Sequence, residues 1–234
     1  MNENNSDNYS ISKIKYHLHK EKPSIIVDFK FPVVSSNDDD FRKIKEKKFF
    51  TPQNNLFEAI NSNNLIIEKF ILISSIKASS SETIYSIFKK KQEDLYENYI
   101  DKNKLSIIRV DSVFGPGDLS ETRLIPNYFR NVLKNYPIKY NFNKNDLSKF
   151  IYILDALEDI YFEINSEKVS LKSHKISFIN LIKSLNFIME KNHYLKPSVL
   201  NNNVKLDSKN MIKNEYFFKN LENTASWYKK NLLN

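Results

Sequence analysis

The stretch "KFILISSIKASSSETIYSIFKKKQEDLYENY", residues 69–99, decides how the rest of the chain is read. Its first part, Lys69 to Ile76, is a short apolar run with β-branched residues, the length and composition of a buried strand. From Glu82 to Ile100, Ile84, Phe88, Leu95 and Tyr99 recur with the period of an amphipathic helix. The strand ends in Ser74 and Ser75, and in the helix Tyr85 and Lys89 lie one turn apart, on one face and within reach of each other. An ammonium beside a phenol favours the phenolate, so such a tyrosine can accept a proton near neutral pH. A hydroxyl at the strand end can hold the same substrate oxygen. With 13 tyrosines and 36 Lys and Arg in the chain, chance pairs of this kind are expected, and the pair alone reads as an ordinary amphipathic helix.

Working outward, further strand patterns occur at Ser24 to Phe31, Leu105 to Phe114 and Lys149 to Ile153. Helical patterns occur at Asn54 to Glu68, through Leu56, Ile60 and Ile67, and at Leu124 to Leu133, through Phe129 and Val132. Strands separated by helices imply crossover connections, hence an α/β fold with a parallel sheet and helices on both faces. After Asp155 the pattern changes to helices at about Ala156 to Ile164, Phe178 to Met189 and Asn220 to Leu232, around one strand candidate at Lys168 to Leu171. The expected organisation is a parallel α/β part over 1–118 and a smaller, mostly helical lobe over 119–234. Lys149–Ile153 is a candidate to return to the sheet. The acidic run Asp38 to Asp40 reads as a solvated loop.

At 234 residues and 41% hydrophobic, the chain can bury one sizeable core or two small ones. The polar start MNENNSDNYS lacks the regions of a signal peptide, and no apolar run is long enough to span a membrane, so a cytoplasmic protein is expected. Zero cysteines exclude disulfides, thiolate metal sites and cysteine nucleophiles. The +8 charge comes from lysines spread along the chain among many Asn and Ile, a coding bias and not a nucleic-acid stripe. His17 and His19 have no third ligand nearby and read as surface residues, with no metal site expected. The aromatics Tyr216, Phe217, Phe218, Trp227 and Tyr228 read as core.

The order of these pieces carries more than any one of them. Ser-Ser at a strand end, Tyr85 and Lys89 with Glu93 four residues on, and Ile107-Ile108-Arg109 come first. Val113-Phe114-Gly115-Pro116-Gly117-Asp118 and then Arg123-Leu124-Ile125-Pro126 follow. This order resembles the extended short-chain dehydrogenase/reductase family, and within it the NAD-dependent nucleotide-sugar epimerases and 4,6-dehydratases. The stretch GDLSETRLIP is similar to CDP-glucose 4,6-dehydratases, whereas the short interval before Tyr85 resembles the polysaccharide-biosynthesis dehydratases. "KPSIIVDFKF", "NNLFEAINSNN", "KFIYILDALEDIYF" with Asp155, and Trp227-Tyr228 extend the likeness over about residues 11 to 234.

The resemblance implies a truncated Rossmann-like fold, NAD or NADP as cofactor and a nucleotide-sugar substrate. It implies Ser75, Tyr85 and Lys89 as catalytic residues, with Tyr85, Lys89 and Gly115 near the cofactor and Lys77, Ser112, Arg123 and Leu124 near the substrate. Gly115 and Gly117 are the only glycines, where an average composition would give roughly sixteen. The resemblance accounts for them by close approach of the backbone to cofactor and sugar. A tight turn around Pro116 accounts for them equally well.

Several positions depart from the family. No glycine precedes Gly115, so the Gly-rich turn that receives a pyrophosphate at a helix N-terminus is missing. Asp28-Phe29-Lys30-Phe31 replaces the small residues expected after the strand, and Phe49 an asparagine. Ile76 replaces the acidic residue that dehydratases use for proton delivery, though Lys77 is kept. Ser112 replaces a substrate-contacting asparagine, and Ser148 and Lys149 lie where an arginine is expected. Two functions follow as expectations: a nucleotide-sugar epimerase or dehydratase impaired as an isolated chain, or a catalytically silent relative serving as a partner subunit or split-gene remnant. A homo-oligomer, or a partner chain supplying the missing strands along an open sheet edge, is expected with either.

Overall fold

The computed structural model describes residues 10–30, 50–80, 82–134, 136, 146–167, 172–191 and 214–232. The chain divides into two compact units, Met1–Val110 with Ile160–Lys168, and Asp111–Asp159 with Val169–Asn234. The run Asp38 to Asp40, Phe31, Phe49, His193 and the strand candidate at 168–171 lie outside the described residues.

In the first unit the elements are α1 (Ile11–Glu21), β1 (Ile25–Asp28), α2 (Thr51–Ser62), β2 (Lys69–Ser75), a 3-10 turn (Ile76–Ser79), α3 (Ile84–Tyr99) and β3 (Leu105–Val110). The strands form a parallel sheet in the order β1-β2-β3, with Ile25 beside Lys69 and Phe70 beside Leu105. Successive side chains of a strand point to opposite faces, and here both faces are covered. Phe70 and Leu72 pack with Phe57 of α2 and Tyr96 of α3 on one face. Ile71 and Ile108 pack with Ile160 on the other, flanked by Ile164. The predicted parallel sheet with helices on both faces is therefore present. Lys69 ties the second face down through an ion pair of 2.9 Å to Glu163, which also accepts a hydrogen bond of 2.6 Å from Ser106.

The first unit differs from the expected elements at α2 and α1. Helix α2 stops at Ser62 instead of Glu68: Asn64 takes the left-handed conformation (φ 49°), and Ile67 is buried on the approach to β2. Helix α1 lies outside the elements expected from the sequence, although Ile11, Ile14 and Leu18 follow the helical period and are the residues turned inward. It ends at Lys22 in the left-handed conformation just before Pro23. His17 and His19 are exposed on it, as expected.

The second unit holds β4 (Ser112–Phe114), α4 (Leu124–Leu133), β5 (Leu147–Tyr152), the first turns of α5 (Ile153–Ile164), β6 (His174–Ser177), α6 (Phe178–Lys191) and α7 (Glu215–Leu232). Strand β5 pairs with β4 in parallel and with β6 antiparallel. Leu105 to Phe114 is thus two strands. The break falls at Asp111, which is buried and accepts a hydrogen bond from Ser173, and β3 and β4 belong to different sheets. The strand missed by the sequence reading is His174–Ser177, whose His174 ring stacks on Phe217 at 4.4 Å. The core gathers Phe114, Phe129, Leu181, Leu185, Leu221 and Tyr228, so Phe217 and Tyr228 serve packing, while Tyr216 is exposed and hydrogen-bonds Asp155.

Candidate functional site

The elements that carry the expected catalytic residues lie in the first unit. Ser75 ends β2 and caps the 3-10 turn, its hydroxyl accepting the Lys77 N–H at 3.3 Å, while the Lys77 side chain is exposed. Helix α3 starts with a capping box, Thr83 and Ser86 each accepting the other's backbone N–H, which fixes Tyr85 in the first turn. Tyr85 is half-buried and packs with Ile84, Phe88 and Leu95 around Phe50.

Lys89, one turn on, points inward and is only 4% exposed. Its Nζ donates to Gln92 Oε1 at 3.2 Å and to the Ile73 carbonyl at 3.5 Å. Gln92 in turn donates to the Lys30 carbonyl at 2.7 Å, which also accepts Gln53 Nε2 at 3.1 Å. Asp28, at the end of β1, accepts the Lys30 N–H at 2.6 Å and the Tyr96 hydroxyl. Burial pushes the Lys89 ammonium down to about 8, against the opposing pull of Asp28 and Glu93. Burial likewise raises the Asp28 carboxyl, outweighing the hydrogen bonds from Tyr96 and Lys30. The Tyr96 phenol is raised by burial and by the Asp28 charge.

A pH dependence follows with a definite sign. Between about 8 and 10.5 the folded state binds fewer protons at Lys89 than the unfolded chain, so this group makes stability rise with pH across that window. The raised tyrosines oppose it at the alkaline end. The group is therefore read by difference: the wild-type curve should gain on Lys89→Met by on the order of 3 kcal/mol through the window in denaturant titrations. Parallel curves would show that Lys89 titrates normally.

Glu93, one turn beyond Lys89, is fully buried. Arg109 of β3 donates to both its oxygens, Nε to Oε1 at 2.9 Å and the terminal nitrogen to Oε2 at 2.7 Å, and Ser74 Oγ donates at 2.6 Å. Burial alone would raise this carboxyl, but the hydrogen bonds from Arg109 and Ser74 hold it below the usual carboxylate range. The two strand-end serines thus divide their work: Ser74 faces inward to Glu93 and Ser75 caps the turn. The sequence reading missed Asp28, Gln53, Gln92 and Tyr96 as a group. The one available signal is that two glutamines stand at inward positions of α2 and α3, where apolar residues would be usual.

In the second unit Ser112 is exposed on β4, and Arg123 immediately precedes α4, its guanidinium 3.1 Å from Asp118 Oδ2. Leu124 opens α4 and packs against the core. The loop between them and β4 is tied down by Arg130, which donates to the Leu119 carbonyl at 2.6 Å and to that of Ser120, and by the Tyr228 hydroxyl on the Asp118 carbonyl. Gly115 is buried at φ +153°, and a Cβ there would meet Ile153 Cγ2 at 2.4 Å. Gly117 has φ +87° with open space around it. Gly115 therefore answers both a close side-chain approach and a backbone conformation, and Gly117 the backbone conformation alone.

No protein-family model matches the chain, and no curated protein matches it. Solved structures do. UDP-glucose 4-epimerase from Thermotoga maritima, crystallised with UDP-glucose, superposes with a TM-score of 0.70 at 15% identity, over 96% of this chain and 83% of that one. The dTDP-glucose 4,6-dehydratase of Bacillus anthracis, in complex with NAD, gives 0.67 at 13%, over 95% and 78%. The capsular polysaccharide assembling protein CapF of Staphylococcus aureus gives 0.62 at 19%, over 93% and 56%. The fold is that of the NAD-dependent nucleotide-sugar epimerases and dehydratases. Among the described residues no helix is long and apolar enough to cross a membrane, and no group of side chains could hold a metal ion.

A pyrophosphate is received by a backbone turn without side chains, and in the sequence given no glycine precedes Gly115. The lysine that would hold a ribose is bound to Gln92 and the Ile73 carbonyl inside the unit.

Proposed function

We propose that this chain is a catalytically silent relative of the nucleotide-sugar epimerases and 4,6-dehydratases, keeping their scaffold without NAD-dependent hydride transfer of its own. The observation that carries this reading is the inward commitment of Lys89, buried beside Asp28 and hydrogen-bonded to Gln92. In it, residues 1–118 correspond to the nucleotide side and 119–234 to the substrate side, with Ser112, Arg123 and Leu124 of the second unit as the residues nearest a nucleotide sugar. A partner chain or second copy, aligned along β1, belongs to the same reading.

A second reading is favoured by the i,i+4 placement of Tyr85 and Lys89 on α3 after the Ser75 strand end. There Tyr85 takes a proton from a sugar hydroxyl oriented by Ser75, and the dinucleotide seat comes from another chain. Calorimetric titration of the purified chain with NAD, and separately with UDP-glucose and CDP-glucose, separates the two. The expected result is no saturable NAD binding and no reduced nicotinamide on adding sugar. Saturable NAD binding with reduction would establish the enzyme, and sedimentation of the same sample as a monomer would remove the partner.

A further inference from the structure

We infer that Lys89 is a positioning cation which, through Gln92, clamps the turn after β1, and that this polar clamp closes the ends of β1 and β2 to a dinucleotide. The assignment rests on the reading that the chain works without NAD. The turn Asp28-Phe29-Lys30 is held from two helices at once. Gln53 of α2 and Gln92 of α3 both donate to the Lys30 carbonyl, at 3.1 and 2.7 Å, and the Tyr96 hydroxyl donates to Asp28. Asp28 accepts the Lys30 N–H at 2.6 Å, closing the turn on itself. Gln92 is the hinge of the arrangement, since its amide donates to Lys30 while its oxygen accepts from the Lys89 ammonium at 3.2 Å.

The five side chains are deeply buried, with Tyr96 fully so, Gln53 and Gln92 each 1% exposed, Lys89 4% and Asp28 9%. The Gln92 amide has both of its ends satisfied, whereas Gln53 Oε1 is buried with no hydrogen-bond partner among the described residues, and an ammonium without its acceptor is costly there. A ribose oxygen that took the place of Gln92 Oε1 on Lys89 would pull at the same side chain that holds the Lys30 carbonyl, leaving Gln53 to hold that carbonyl. One event would thus loosen both bonds that Gln92 makes.

Hydrogen exchange of the Phe29 and Lys30 amides, measured on wild type, Lys89→Met and Gln92→Leu with and without NAD, tests the assignment. The expected result is about tenfold faster exchange at Lys30 in both variants, the loss that accompanies one hydrogen bond to a charged group. NAD is expected to change none of the three proteins. Unchanged exchange in both variants, with no NAD effect, overturns the clamp and leaves the silent reading standing. Faster exchange in the variants together with NAD protection of all three keeps the clamp's positioning role and overturns the silent reading. Protection by NAD of the wild type alone overturns both, because Lys89 then holds the cofactor. Should Lys89→Met fail to fold, Gln92→Leu alone decides the clamp.

Discussion

Glu93→Ala should lower the unfolding free energy by about 3 kcal/mol, the low end of the cost of breaking a buried ion pair. The wild-type carboxylate is fully buried, receives two hydrogen bonds from Arg109 and one from Ser74, and joins α3 to β2 and β3 in a single contact. Removing it leaves the Ser74 hydroxyl buried without its acceptor, at about 1–3 kcal/mol. Arg109 loses both bonds, but its side chain is 42% exposed and can turn to water, which keeps the total below the upper end of the range. Glu93→Gln preserves the volume and should cost about half as much. The sign with pH is fixed by the depressed carboxyl. Its stabilisation is fully present above the ordinary glutamate value of 4.5 and is lost as pH falls through the folded value. Glu93→Gln should therefore flatten the acid limb of the stability curve. Denaturant unfolding of the three proteins across acid pH is the measurement, and a Glu93→Ala loss under about 0.5 kcal/mol would place the pair with inconsequential surface bridges.

Gly115→Ala should cost about 3 kcal/mol, made of overpacking at about 1–3 kcal/mol and backbone strain at about 1–2. The added methyl would lie 2.4 Å from Ile153 Cγ2, 3.1 Å from its Cβ and 3.3 Å from the Tyr152 ring, at a φ of +153°. A branched side chain at the start of α5 has little room to yield. Gly117→Ala meets no neighbour and should cost only the backbone strain of its φ of +87°, about 1–2 kcal/mol. The decisive comparison is the double variant Gly115→Ala with Ile153→Ala. Its loss should be smaller than the sum of the two single losses by at least about 1 kcal/mol, since trimming Ile153 makes the room the methyl needs. Strict additivity would mean that the glycine is retained for a reason other than this approach.

Much of the architecture is legible because it is written in local periods. The apolar run at β2, the helical spacing of α3 and α4, and the alternation of strand and helix each follow from residues a few positions apart. Where no local rule applies, the structure departs from the sequence pattern. Glu68 lies past the helix end because Asn64 turns left-handed, and the ten residues from Leu105 to Phe114 look like one strand until Asp111 finds Ser173. The candidate site divides in the same way. The spacing of Tyr85 and Lys89 puts them on one helix face, whatever surrounds them.

What the amino-acid order alone determined is the alternation of strand and helix from β1 to β3 and the absence of any glycine before Gly115, since both depend on neighbours along the chain or on composition. What only the tertiary structure decided is where charges point. Lys89 turns to Gln92, the Ile73 carbonyl and the field of Asp28, while Glu93 turns to Arg109 and Ser74. Those partners come from β1, β2, β3 and the next turn of α3. A buried charge takes whatever partner the fold brings within hydrogen-bond distance, and that distance is set in space, not along the chain.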